Sequence, residues 1–304
     1  MIPVLLGVSF LVFTLMYFTP GDPAAIILGT DATPEMLAAT RAKLGLDQPF
    51  IIRYLRYVWN AIHLDLGDSY INNRPVMKEL LTRFPYTFRV AILSVLIAAL
   101  IGIPLGVFAA VNQSTWKDNL AMLLSLFCRS MPNFWFALMM VLLFSLKLGL
   151  LPATGVGSWK HYILPCFSIG VHSASGLARQ TRSAMLEVIR QDYIVTTRAK
   201  GQTEMKVIYG HGLRNALIPI ITQLGTNLGH QLGGAIIAES VFSIPGIGSY
   251  MSTAIGSRDY PVVQGGVLFI AVIFAFTMLL VDIMYAFADP RMKSQFASGG
   301  KKSK

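Results

Sequence analysis

The sequence predicts an all-α polytopic membrane protein with six transmembrane helices and a small helical cap. Two observations predict it. Of the 304 residues, 54% are hydrophobic and only 13% are charged, whereas a soluble globular chain carries about a quarter charged residues. So few charges cannot cover the water-facing surface of a chain this long, and much of that surface must face lipid. The 25 Lys and Arg that bring the net charge to +10 lie in short segments between apolar runs. A nucleic-acid binder gathers its charge on one soluble basic face, so no nucleic-acid partner is expected.

About 20 mostly apolar residues span the hydrocarbon core. The first run, Ile2–Phe18, is short but uncharged, and Pro20-Gly21-Asp22-Pro23 stops it. A signal peptide needs a basic n-region, and none precedes Ile2, so the run reads as an anchor spanning 1–19. Residues 20–84 differ in kind, with seven acidic and seven basic residues and helical patches at Thr33–Leu44 and Gln48–Leu66. Thr33-Pro34 reads as an N-cap followed by Pro at N1. This is the expected cap, too small to fold as a domain of its own. Further runs follow at 85–111, 119–147, 161–186, 215–243 and 262–288, making 85–288 a core of five helices. Residues 289–304 form a tail.

Orientation follows from the Lys/Arg bias of short loops. Residues 179–214 carry seven basic and three acidic residues, and 289–304 carry five and one. Both are therefore placed in the cytoplasm. With six spans the N-terminus is cytoplasmic too, and the cap lies outside together with 149–159 and 244–261.

The segment Asp192–Pro219 interrupts the apolar pattern. Asp192 suits an N-cap, Arg198 and Lys200 the last turn of a helix, and Gly201 the C′ position. Two short helices are expected, the second around Thr203–Tyr209, projecting into the cytoplasm between two spans. On the residues alone a basic loop touching anionic headgroups is nearly as good a reading.

The motifs decide between them. Asp192-Tyr193, Arg198-Ala199-Lys200-Gly201 and His211-Gly212-Leu213-Arg214-Asn215-Ala216-Leu217-Ile218-Pro219 closely resemble the cytoplasmic coupling loop of bacterial ABC-importer permeases. The class is the one that serves dipeptides, oligopeptides, nickel and glutathione. Ile2-Pro3-Val4-Leu5-Leu6-Gly7-Val8-Ser9, Leu44-Gly45-Leu46-Asp47-Gln48-Pro49, Gly102-Ile103-Pro104-Leu105-Gly106, Pro245-Gly246-Ile247-Gly248 and Arg258-Asp259-Tyr260-Pro261 extend the resemblance over nearly the whole chain. It implies a type I ABC-importer permease fold and a coupling loop at 187–214 that docks on an ATPase. Asp192, Tyr193, Thr197, Arg198, Ala199, Lys200, Gly201, His211, Arg214 and Asn215 are its expected coupling residues. The motif's usual Glu-Ala-Ala is replaced by Val195-Thr196-Thr197, so no docking carboxylate is assigned there. The implied partners are a second, homologous permease that pairs with this one as a heterodimer, two ABC ATPase subunits and an external solute-binding protein, with a lipid bilayer around them.

No Gly-x-x-x-x-Gly-Lys-Ser/Thr phosphate loop occurs, so ATP and Mg are expected in the partner subunits, with no cofactor on this chain. Neither His-Glu-x-x-His nor Gly-x-Ser-x-Gly occurs, and Asp282 has no obvious partner acid for an intramembrane protease. No enzyme activity is expected. His161, His172 and His211 are scattered, and Cys128 and Cys166 sit among apolar residues without neighbouring ligands, so two buried thiols and no metal site are expected. The fifth run is unusually polar, and Gly225, Gly229 and Gly233 recur every four residues, a bare face that permits close helix contact. Gln223, Asn227, His230, Gln231 and Glu239 are candidates for the translocation path, and hydrogen bonding between helices explains Asn227, His230 and Gln231 equally well. Glu239 is expected near the outer end of its span, solvated by water, and Asp282 is expected to be paired or hydrogen-bonded. A secondary transporter or channel is the rival, but the internal repeat common in such proteins is not evident.

Overall fold

The computed structural model describes residues 1–29 and 31–288, and the expected tail at 289–304 lies outside them. The regular elements are helical, and among the described residues an isolated bridge between Asp68 and Pro75 is the sole β feature. The chain divides into two compact units.

The first unit joins Met1–Phe88 to Leu232–Ala275. It opens with α1, Ile2–Phe18. In α2 (Pro23–Leu28) Asp22 caps the Ala24 N–H, and Asp22 also takes the Arg41 guanidinium at 2.6 Å. That hydrogen bond holds its carboxyl below the usual carboxylate range. In α3 (Pro34–Leu44) Thr33 caps the Met36 N–H and Gly45, at φ 68°, ends the helix in the left-handed region, as the sequence predicts. Next comes α4, Phe50–Ile62, which packs along α1. Phe50, Tyr54 and Tyr57 meet Phe10, Phe13 and Tyr17 through edge and stacked ring contacts, and the Tyr54 hydroxyl donates to the Leu6 carbonyl.

The unit's core gathers Leu66, Val76 and Leu80 with Ile247, Met251, Ala254, Val262 and Val263. Asp259 fastens the loop after α4, accepting from the Ser69 hydroxyl and the Tyr70 N–H.

Helix α5, Val76–Val111, starts nine residues before the apolar run that announces it. Its polar first turns are held by Glu79, which bonds Arg74 and Arg83. Length and apolarity, read from Pro85 onward, miss that ionic first stretch.

The second unit holds Arg89–Gln231 and the chain from Phe276 onward. The run at 119–147, expected as one span, is two helices bent by 95°: α6 (Trp116–Ser130) and α7 (Asn133–Met140), the latter continuing as π-helix through Lys147. Pro132 lacks an N–H and pushes Met131 out of the helical region, to ψ 132°. Helix α8, Ile163–Ile189, crosses α5 at contacts that only glycine allows. A Cβ on Gly106 would fall on the Ala178 carbonyl oxygen and Thr181, one on Gly102 on the Ala174 carbonyl, and one on Gly170 on Ile97. The core here is Val107, Ala110, Leu177, Ala184, Met185, Ile208, Ala216 and Ile220.

After the short α9 (Asp192–Ala199), π-helix over Lys206–Gly212 feeds α10 (Leu213–Leu232). The expected fifth run ends there. Gly233-Gly234 break it, Gly234 at φ 105° lying too close to the backbone of Gly248 for any side chain. The rest of that run is α11 (Ile236–Val241), followed by α12 (Ile247–Gly256) and α13 (Tyr260–Ala288).

By length and composition, two described helices suit a membrane crossing, α5 and α13, or three if the bent pair is one span; α1 is a shorter apolar helix. Polar residues in α8 and α10 keep those helices below the same measure. Cys166 is buried as expected, while Cys128 is half-buried; both are free.

Candidate functional site

Helix α9 is a projection of two turns between α8 and α10. Gly201, at φ 76°, occupies the C′ position and lets the chain reverse, as its spacing predicts. Two expectations need correction. The N-cap is Gln191, and Asp192 is the first helical residue without a capping bond; its charge still suits the N-terminal turn. The second short helix expected around Thr203–Tyr209 does not stand apart: it is the π segment Lys206–Gly212, continuous with α10. Gly210 and Gly212 do not break it but are wound into that segment, where Gly212 packs against Met185.

The expected coupling residues gather around this turn. Ile194 is wholly buried beneath α9. Arg198 reaches Glu204 at 2.7 Å and His211 meets Gln202 at 3.1 Å, so both ends of the reversal are tied. The Tyr193 hydroxyl meets the Asn215 side chain, and burial raises its pKa. Asn215 also donates to the His211 carbonyl. Asp192, Ala199, Lys200, Gly201 and Arg214 are exposed, and Thr197 is half-buried with its hydroxyl on the Tyr193 carbonyl. Tyr193, Val195, Met205 and Tyr209 expose apolar surface on the same projection. Chemically the arrangement offers a basic rim around exposed apolar side chains on a rigid support, the composition of a protein-docking surface.

The candidate path residues fall into different environments. Gln223 donates to Asn227 one turn on, at 3.1 Å. Gln231, 7% exposed, donates to Ser173 of α8 at 3.3 Å, which makes it a link between helices. His230 is exposed on the neighbouring side. Gly225 faces Val281 of α13 so closely that a Cβ would strike its side chain, the close approach its spacing predicts. Asp282, expected to be paired, has an exposed side chain.

Glu239 is neither in α10 nor solvated. It is wholly buried in α11, because the break at Gly233-Gly234 turns the chain back onto its own unit. The Thr87 hydroxyl donates to it at 2.7 Å and the Ser249 N–H at 2.9 Å. Gly246 and Gly248 wrap the carboxylate so tightly that a Cβ on either would collide with it. Glu239 therefore caps the N-terminus of α12 from another helix and fixes the Pro245–Gly248 turn. Thr87 completes the cage by also accepting the Ile247 N–H at 2.9 Å. Thr87→Ala leaves that buried N–H and one carboxylate oxygen without a partner, and should lower stability by about 1–3 kcal/mol, with Thr87→Ser recovering most of it. Thermal unfolding in detergent checks this; equal melting of the two variants would refute the cage.

Sequence reasoning missed a second polar contact. Asp118 at the start of α6, 2% exposed, receives two hydrogen bonds from Arg182 of α8 at 2.7 and 2.6 Å and one from the Ser114 N–H. The available signal was a lone acid opening one apolar run and one of two arginines, Arg179 and Arg182, inside another, both near cytoplasmic ends. Among the described residues no group of three His, Cys, Asp or Glu gathers to hold a metal.

Residues 102–294 match the family described as binding-protein-dependent transport system inner membrane component, and residues 1–91 match its N-terminal companion. The chain is 41% identical over 293 residues to the glutathione transport system permease protein GsiC of Salmonella paratyphi A, covering 96% of each. It is 40% identical to the dipeptide transport system permease protein DppB of Alkalihalophilus pseudofirmus, again covering 96% of each. Among solved structures, the inward-facing MetNI methionine ABC transporter superposes with a TM-score of 0.59 at 21% identity, over 70% of this chain and 97% of the other. That likeness bears on the fold alone, an all-helical arrangement shared with an ABC transporter. Matched along almost its entire length, the chain belongs to the binding-protein-dependent transport system inner membrane components, and it is a permease of an ABC importer, not itself an enzyme.

Proposed function

We propose that this chain pairs with a second, different permease to form the path by which glutathione, a di- or oligopeptide, or a related small solute crosses the inner membrane. An external solute-binding protein delivers the solute. Two ABC ATPase subunits, using ATP and Mg, drive the switch between inward- and outward-open states. Six spans of the type I permease arrangement carry the path: α1, α5, the bent α6–α7 pair, α8, α10 and α13. The cap at 20–84 faces outward and both termini face the cytoplasm.

The observation that carries this reading is α9: an exposed, tied-down helical reversal within the family-matched region, presenting exposed apolar and basic side chains among the described residues. Motion imposed there reaches α8 and α10, which flank it in sequence. Gln223, Asn227 and His230 are proposed for the path; Gln231 and Glu239 have the partners of positioning residues.

The test is ATP-driven uptake in vesicles containing the permease pair, its ATPases and its binding protein, offered glutathione and peptides separately. Ala199→Trp with Gly201→Val adds bulk to the exposed end of α9 and strains a left-handed backbone position. It should cut uptake by about tenfold or more and weaken co-purification of the ATPases, with the protein still inserted and monodisperse. Undiminished uptake and co-purification would remove α9 from the mechanism.

A further inference from the structure

Helix α4 belongs by sequence to a polar cap, yet it carries the most exposed apolar stripe of that region. Ile51, Ile52, Leu55, Trp59 and Ile62 are 49% to 70% exposed. At 3.6 residues per turn they fall within an arc of about 100°. Arg53, Arg56 and Asn60 occupy the adjoining arc, where they line a water-accessible cavity of about 1090 Å³ together with Asp22, Asp65 and Asp68. The third face, Phe50, Tyr54 and Tyr57, packs on α1. No acidic residue lies on the helix. A basic polar face beside a Trp- and Ile-bearing apolar face marks a helix that borders both lipid and water.

We propose that α4 is sunk into the bilayer beside α1, with the Ile51–Ile62 stripe against acyl chains. The position of its contacts on α1 carries the argument. Tyr54 donates to the carbonyl of Leu6 and its ring packs on Phe10 and Phe13, well inside the 17-residue apolar helix and not at its outer end. Whatever surrounds α1 at that level also surrounds α4. Phe10, Leu11 and Leu15 of α1 are exposed like the α4 stripe, so the two helices present one continuous apolar surface. In an inner membrane component the occupant of such a surface is lipid. Arg53 sits over the Tyr17 ring, its guanidinium 5.3 Å from the centroid, directed away from the stripe toward the polar cavity. The cap is thus partly sunk in the membrane.

This proposal rests on α1 lying in the membrane and not on the transported solute, so a failed uptake assay leaves it standing. The probe is Trp59, one of four tryptophans, isolated by Trp116→Phe, Trp135→Phe and Trp159→Phe. The assembled transporter is placed in vesicles whose phospholipids carry bromine at mid-chain, and Trp59 emission is read as the difference from the same transporter carrying Trp59→Phe. Bromolipid should lower Trp59 emission by about twofold or more while aqueous iodide leaves it nearly unchanged. Quenching by iodide without quenching by bromolipid would place the stripe in water. Quenching by neither would place it under protein, such as the second permease, and either result overturns the proposal. Should the triple variant not insert, a spin label at Ile62→Cys, with Cys128→Ser, reads the same question. Relaxation by oxygen above that by a water-soluble nickel chelate supports lipid, and the reverse overturns it.

Discussion

Gly106→Leu is expected to leave almost no folded permease. A Cβ at Gly106 would fall on the Ala178 carbonyl oxygen and on the Thr181 side chain. A backbone oxygen cannot rotate away, so α5 and α8 would have to part along several turns, exposing the Gly102 and Gly170 contacts too. Gly106→Ala alone should cost about 1–3 kcal/mol, the usual penalty for overpacking, and the leucine more than about 3 kcal/mol. Gly7→Ala is the control: nothing lies within 4 Å of its added methyl, and helix propensity favours alanine by about 0.5–1 kcal/mol. Size-exclusion profiles and melting temperatures in detergent check the series. A Gly106→Ala protein as stable as Gly7→Ala would show that the helices are not in backbone contact.

Arg182→Met should come next in severity. It leaves Asp118, 2% exposed, with the Ser114 N–H as its remaining hydrogen-bond donor. Breaking one side of a fully buried ion pair costs about 3–5 kcal/mol; with Arg182 still 28% exposed the expected loss is about 2–3 kcal/mol. Replacing both partners, Asp118→Leu with Arg182→Met, removes the stranded charge and should restore most of it. A double-mutant cycle on thermal stability therefore predicts strong coupling between the two sites; additive losses would reduce the pair to a surface contact.

How much of this was legible depends on whether a residue's role is local. The stops and reversals were, because Pro23, Gly45 and Gly201 act through their own backbone. Thr33 caps its helix within three residues, so its role also shows in order and type, whereas the cap from Asp22 on α2 went unread. Pro132 was passed over because apolar spans tolerate proline, and nothing local distinguishes a tolerated kink from a 95° bend. Gly233 was read as the third of an evenly spaced set with Gly225 and Gly229, when it belongs to a break. The partners of Glu239 and Asp118 lie 152 and 64 residues away. Local patterns carry no trace of such pairings, which is why the first acid was expected in water and the second was treated as a loop boundary. The coupling segment stood out through its motif; the ties from Arg198 to Glu204 and from His211 to Gln202 required coordinates.

The π-helix over Lys206–Gly212 has a geometric consequence for whatever pulls on α9. Each π turn winds more chain than an α turn, so the segment keeps spare length in reserve. Rewinding it to α geometry by one residue would advance α10 by about 1.5 Å and rotate it by about 100°. The linkage between the projection and the polar helix behind it thus has slack that can be taken up by exchanging hydrogen bonds, with no need to unravel.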